Sequence, residues 1–175
     1  MADAEQVARM YVEGQRLAYS GHVPDVFIEA LSAEVEIASW AAQIDDPAHR
    51  IYTAAWTGGI VGLANGGLVP GSPEVSALTD VWVLKQWHGT SLAQELVLAV
   101  VQDLRAMGAH LMKAMVYAQN KRSESFCQKL GAKYVGWKNQ AVLHGPAGLS
   151  DFIGPFTFWQ WDDITVALPG TSEAR

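Results

Sequence analysis

The hydrophobic period changes within one stretch, Asp80-Val81-Trp82-Val83-Leu84-Lys85-Gln86-Trp87-His88-Gly89-Thr90-Ser91-Leu92-Ala93, and this change constrains the fold more than any other feature. Val81 to Leu84 are apolar without interruption, as in a strand covered on both faces. From Leu92 the apolar residues recur as Leu92, Leu96, Val100 and Leu104, which is helical spacing. Gly89 and Thr90 break the run between them. A strand that enters a helix through a small-residue turn presents free backbone N–H groups at the helix start. Together with the helix dipole, they make a site for an anion, most often phosphate.

Either side of this stretch the punctuation is regular. Helices are expected over residues 4–19, 24–31 and 32–43, opened by Asp3, Pro24 and Ser32. A hairpin follows, with strands 50–57 and 60–68 around a Gly58-Gly59 turn. Residues 70–73 are expected as a loop and 76–84 as a strand. The helix 90–107 should stop at Gly108. A strand over 111–118, a helix from Asn120 to Gly131, a strand over 133–137, a loop over 139–155 and a strand over 156–161 complete the order. The pattern α-α-α-β-β-β-α-β-α-β-β predicts an α/β (α+β) mixed sheet with helices on both faces. One domain is expected over residues 1–168, with 169–175 as a flexible tail.

Charge narrows the partners. The formal net charge of −6 argues against nucleic acid or an anionic membrane, whose recognition needs clustered Lys and Arg, and permits a cationic substrate. One cysteine, Cys127, provides no disulfide framework and cannot build a zinc site alone, so no metal is expected. No apolar run approaches the ~18 residues of a membrane span, and no leader is evident, so a cytoplasmic location is expected. There is no Gly-x-x-x-x-Gly-Lys-Ser/Thr loop, which argues against a phosphotransferase.

Two motifs carry a family resemblance. His88-Gly89-Thr90-Ser91-Leu92-Ala93, at the strand-to-helix turn, resembles the acyl-CoA motif of the GNAT superfamily of N-acetyltransferases: Gln or Arg, two residues, Gly, one residue, then Gly or Ala. Asn120 followed by Phe126-Cys127-Gln128-Lys129-Leu130-Gly131 is similar to the family's second signature. The resemblance covers most of the chain and is strongest over residues 78–136. In this alignment His88 replaces Gln or Arg, Ser91 replaces the central Gly, and Cys127 replaces a Tyr often assigned as general acid. The family's first strand precedes its first helix, whereas this sequence starts almost at that helix, so the strand is expected to be either absent or replaced by another segment.

The resemblance implies a mostly antiparallel, twisted GNAT-like sheet and acetyl-CoA as co-substrate. Its cleft would lie between the strand ending at Leu84 and the strand over 111–118. It implies that the N–H groups of Gly89, Thr90, Ser91, Leu92 and Ala93 cradle the diphosphate. His88 would reach a phosphate, Val81, Trp82 and Val83 would run along the pantetheine arm, and Asn120 and Phe126 would border the cofactor. Small residues suit the cradle because phosphate must approach the backbone closely. The Cβ of Ser91 would be costly if the turn needs a positive φ there, and its hydroxyl could add a bond.

Asp80 is the candidate base, since an ammonium must lose a proton before its nitrogen attacks a thioester. A salt-bridged or edge-exposed acid is the plainer reading, and Glu74 is a weaker candidate. Cys127 is the candidate acid toward the departing thiolate, with a small buried hydrophobe as the commoner role of a lone cysteine. Tyr117 and Tyr134 are other candidate acids without support from spacing. Trp82 and Trp137 are expected in the core, Trp87 beside the cofactor turn, and Trp40, Trp56, Trp159 and Trp161 in packing or an acceptor pocket. Glu29, Glu34 and Glu36 lie on helices that would cover the acceptor.

Two functions remain open at this point. One is an N-acetyltransferase acting on a primary amine, of a small molecule in the first instance, by direct attack in a ternary complex. The other is a non-catalytic acyl-CoA-binding or interaction module on the same fold. A homodimer is compatible with both.

Overall fold

A computed structural model describes residues 4–143, 152–166 and 168. Three helices open it: α1 (Ala4–Tyr19), α2 (Asp25–Glu29) and α3 (Ala33–Asp45). Strands β1 (His49–Trp56), β2 (Gly59–Val69) and β3 (Ser72–Val83) follow, then a single 3-10 turn (Lys85–Trp87) and α4 (Leu92–Ala106). The chain continues through β4 (Leu111–Tyr117), α5 (Lys121–Lys129), β5 (Lys133–Leu143) and β6 (Phe152–Trp161). The expected order is present, and the sheet is a six-stranded mixed one, ordered β1-β2-β3-β4-β6-β5. Only β3 and β4 pair in parallel, as the α4 crossover between them requires.

Both hairpins differ from expectation. The first turn is Thr57-Gly58, not Gly58-Gly59. Trp56 pairs with Gly59, which leaves two linking residues, and both have positive φ, 43° and 89°. That combination is the type I′ turn whose twist matches its strands. The residues expected as a loop at 70–73 are another tight hairpin around Pro70-Gly71, so β3 begins at Ser72. The loop expected over 139–155 is shorter, because β5 extends to Leu143 and β6 starts at Phe152. The tail 169–175 lies outside the described residues.

Two hydrophobic layers hold the sheet. On one face Leu96, Val97, Val100, Val101 and Leu104 of α4 pack with Ala64, Leu78, Met112, Ala114 and Trp159. Glycine lets α4 lie close there: a Cβ on Gly66 would sit 2.9 Å from both the Ala77 carbonyl oxygen and Val100. On the other face Val7, Ala8 and Met10 of α1 and Trp40 of α3 cover Leu63, with Trp82 and Leu84 at the margin. Thus β3 directs Asp80, Trp82 and Leu84 toward α1 and α3, and Leu78 toward α4. Trp137, expected in the core, is 60% exposed because it lies on the outermost strand, β5.

Trp82 and α1 meet at Gly14. A Cβ there would stand 2.7 Å from the indole ring. Gly14→Ala would gain about 1 kcal/mol of helix propensity but overpack by about 1–3 kcal/mol. We expect a net loss of stability, read as a lower urea midpoint with an unchanged m value.

Candidate active site

The site begins where two central strands part. β3 and β4 pair from Val75–Leu111 to Leu78–Ala114 and no further, although β3 continues to Val83 and β4 to Tyr117. β2 keeps its hold on β3 beyond this point, through Asn65–Asp80 to Gly62–Val83, and β6 keeps its hold on β4. The result is a V-shaped split whose β3 side has main-chain groups with no strand opposite. One irregularity marks its start: Gly66 pairs with Leu78 and Asn65 with Asp80, so Thr79 is an extra, bulged residue. A bulge at this place re-aims the side chains that follow it.

Asp80 follows the bulge on the face covered by α1 and α3. Its carboxylate accepts hydrogen bonds from Asn65 Nδ2 (3.2 Å) and Trp82 Nε1 (3.3 Å). Asn65 is fully buried and also donates to Gln43 Oε1 at 2.9 Å. Burial pushes the Asp80 carboxyl above the ordinary carboxylate range, against the opposing effect of those hydrogen bonds and of His49. Tyr11, Tyr19 and Glu36 each feel the Asp80 charge, and all three are themselves raised, chiefly by burial, Tyr19 to about 12. None of the ion pairs among the described residues includes Asp80 or Glu36.

Asn65 was not singled out in the sequence. Its signal is there, since it is the one polar residue between Val61 and Leu68 in a run of apolar residues and glycines. Tyr11, Gln15 and Tyr19 were missed too, although they recur at helical i, i+4 and i+8 positions.

The strand-to-helix turn has its positive φ at Gly89 (82°). Ser91 is in the right-handed region (φ −72°, ψ −9°) as the residue before α4, so its Cβ causes no strain there. Its hydroxyl donates to Glu95 Oε1 at 2.5 Å and leaves only the N–H to offer. A Cβ on Gly89 would meet nothing within 4 Å, so the turn faces open space. Thr90 closes the turn locally, donating to the Trp87 carbonyl at 2.7 Å. Leu92 and Ala93 are in the first turn of α4, whose N–H groups precede the helix ladder.

His88 departs from its expected role. Nε2 is 2.9 Å from the Val83 carbonyl, and Nδ1 is held by the Arg122 guanidinium of α5. Both ring nitrogens are therefore engaged by protein rather than directed to a phosphate. Asn120 caps α5 as expected, accepting from Ser123 N at 3.1 Å. Phe126 is partly buried against the α4 layer, as is Val81.

Cys127 is 4% exposed within that layer, and burial pushes its thiol up to about 12. The core encloses it. Tyr117 stands on the β4 side of the split, its hydroxyl donating to the His22 carbonyl at 2.7 Å. Tyr134 is exposed on β5, away from the split. Trp40, Trp159 and Trp161 are buried packing residues. Trp56 and Trp87 meet edge to face, ring centres 5.6 Å apart, in an open groove at the first hairpin tip, away from Asp80. Among the described residues no group of three His, Cys, Asp or Glu side chains could hold a metal, and no helix is long and apolar enough to cross a membrane.

Comparison with known proteins agrees with this architecture. The model of the Acetyltransferase (GNAT) family matches residues 18–132. Uncharacterized N-acetyltransferases of Mycobacterium tuberculosis and Mycobacterium bovis are 30% identical over 137 residues, 78% of this chain and 86% of theirs. Among solved structures, the PaiA N-acetyltransferase from Thermoplasma acidophilum in complex with coenzyme A aligns with a TM-score of 0.68 at 16% identity, covering 90% of this chain and 91% of that one. A putative acetyltransferase from Salmonella typhimurium with its cofactor acetyl-CoA aligns at 0.66 and 17% identity, covering 100% and 96%. At these identities the structural likeness shows the fold.

Proposed function

Because the chain belongs to the acetyltransferase (GNAT) family, we propose that it is an acetyl-CoA-dependent N-acetyltransferase that acetylates a primary amine by direct attack in a ternary complex. The observation that carries the reading is the position of Asp80: a carboxylate held by Asn65 and Trp82 on the strand that borders the split. We further take residues 1–168 as one domain.

The family pattern fits the turn best when read two residues earlier than the alignment above. Gln86, two residues, Gly89, one residue and Ser91 then fill its fixed places, with the positive φ on the glycine. Ser91 in place of a Gly or Ala is the one departure, and its backbone is unstrained. Ser91 therefore gives no reason to prefer a non-catalytic module.

The residues fit an acyl-CoA. The first-turn N–H groups of α4, from Ser91 to Ala93, with Gly89 and Thr90 opening the turn, suit a diphosphate. The edge of β3 from Val81 through Trp82 to Val83 offers main-chain groups for the amides of the pantetheine arm. Asn120 and Phe126 border the same split from α5. Acetyl-CoA, once bound, supplies the activated acetyl thioester.

Asp80 accepts a proton from the incoming ammonium, directly or through water. The freed nitrogen lone pair forms the new C–N bond at the thioester carbonyl. As the C–S bond breaks, the adduct nitrogen would release its second proton to leave a neutral amide, and that proton, through water, would neutralise the departing thiolate. Unpaired N–H groups of the β3 edge would stabilise the negative oxygen. We assign Cys127 to packing, since its thiol is enclosed by the α4 layer.

Titration calorimetry with acetyl-CoA, followed by thiol release against an amine panel, tests the reading. We expect binding, with Gly89→Val weakening it at least tenfold, because the branched side chain is strained at positive φ and crowds the cradle. No binding at millimolar acetyl-CoA would sink the proposal. Binding without turnover of any amine would restore the non-catalytic reading.

A further inference from the structure

One stripe of α1 carries Tyr11, Gln15 and Tyr19, and it faces β3. Gly14 brings the helix backbone onto the Trp82 indole. Tyr11 and Tyr19 meet Trp82 edge to face, ring centres 6.2 and 6.0 Å apart. Tyr19 also meets Tyr117 at 5.9 Å, so its ring spans the split from β3 to β4. Between the two phenols, one helical turn from each, lies Gln15. It is 4% exposed, and its Oε1 is the one buried side-chain oxygen or nitrogen among the described residues without a hydrogen-bond partner.

A buried carbonyl oxygen with no donor costs stability, and a protein keeps one where something else satisfies it. The surroundings say what that is. The Asp80 charge raises the proton affinity of Glu36, and neither carboxylate has a partner among the described ion pairs. Two carboxylates outside the described ion pairs, an orphan acceptor oxygen and three aromatic rings together suit an ammonium group. Its N–H bonds satisfy oxygen acceptors, and its charge is attracted to ring faces.

We propose that this aromatic cluster borders the acceptor site and that the site selects a net-cationic primary amine on an apolar body, lacking a carboxylate of its own. The proposal rests on the acetyltransferase reading above. Gln15 Oε1 and Asp80 receive the ammonium, Tyr11, Tyr19 and Trp82 line the apolar body, and Glu36 disfavours an acceptor that brings negative charge. Exclusion by like charge is the stronger part of such specificity, because an unpaired carboxylate beside two others cannot be relieved by small movements.

Matched amine pairs test this directly on the full chain with saturating acetyl-CoA: tryptamine against tryptophan, and cadaverine against lysine. Each pair differs only by a carboxylate. We expect kcat/KM at least tenfold higher for the decarboxylated member of each pair, and Glu36→Gln to narrow the gap. Gln15→Leu should raise the KM for amine at least fivefold, leave the acetyl-CoA Kd unchanged, and raise Tm by removing the orphan oxygen. A purely structural Gln15 would instead lower Tm and leave the amine KM alone. If Gln15→Leu does not fold, Gln15→Met and the wild-type pair comparison carry the same decision.

Equal or better use of the amino acids overturns the proposal. So does turnover of neither pair by a protein that binds acetyl-CoA, which leaves the family reading intact. Failure to bind acetyl-CoA instead overturns the acetyltransferase reading itself.

Discussion

Asp80→Asn is expected to lower kcat for amine acetylation by about two to three orders of magnitude, within the range that a positioned general base contributes. The acetyl-CoA Kd should hardly change, because the carboxylate faces α1 and α3 and not the α4 turn. The wild-type rate should rise with pH through the elevated Asp80 titration, since only the ionised carboxylate can accept a proton. A variant that keeps full turnover, or the same pH–rate limb, would remove Asp80 from the chemistry. Stability should move the other way. Burial raises the Asp80 carboxyl in the fold, so the folded state binds more protons than the unfolded state between the two titrations. Its contribution is fully present below the unfolded pKa and is lost as pH rises through the folded one. Asp80→Asn removes that loss. Its melting temperature above the titration should therefore match or exceed the wild type, with the difference shrinking in acid. Lower activity with undiminished stability is what a desolvated functional carboxylate predicts.

Trp40→Ala is the largest expected structural effect. Trp40 is 2% exposed on α3, packs on Tyr11 with ring centres 5.2 Å apart, and shares a cluster with Val7, Met10 and Leu63. Truncating a buried indole costs about 3–5 kcal/mol through lost transfer energy and the cavity left behind. That is a large part of the ~5–15 kcal/mol that holds a typical domain together. The melting temperature should fall on the order of 10 °C for a chain of this length. Because Tyr11 loses its neighbour, use of the amine should suffer more than the affinity for acetyl-CoA at temperatures where the variant is folded. A fall of less than about 1 kcal/mol in chemical denaturation would show that the α1–α3 layer does not depend on this side chain.

Much of this architecture was legible because it is local. Ser32 precedes α3, Asn120 caps α5, Gly108 and Gly131 follow their helices, and the period change at Leu92 marks α4 to within two residues. These signals depend on side chains acting on backbone a few residues away. The hairpin turns were displaced because strand register, not the Gly-Gly pair alone, decides which two residues link the strands. Trp137 was misplaced for a related reason: composition marks an aromatic as apolar, but position in the sheet decides whether anything covers it.

The candidate site divides along the same line. Sequence pattern alone determined that a strand runs into a helix through Gly89, that an acid precedes the strand's apolar run, and that the order of elements is that of a mixed sheet. It could not determine that β3 and β4 part after Leu78, that the Asp80 carboxylate meets Asn65 from another strand, or that the Gln15 side-chain oxygen is buried without a hydrogen-bond partner. Ser91 looked like a defect by residue type, and its φ shows that the turn places the demand on Gly89 instead. His88 looked like a phosphate contact, and its ring ties the end of β3 to Arg122 of α5. The physical reason is common to all five. Backbone conformation is set by neighbours along the chain, whereas desolvation, charge and hydrogen-bond partners are set by residues far apart in sequence that only packing brings together.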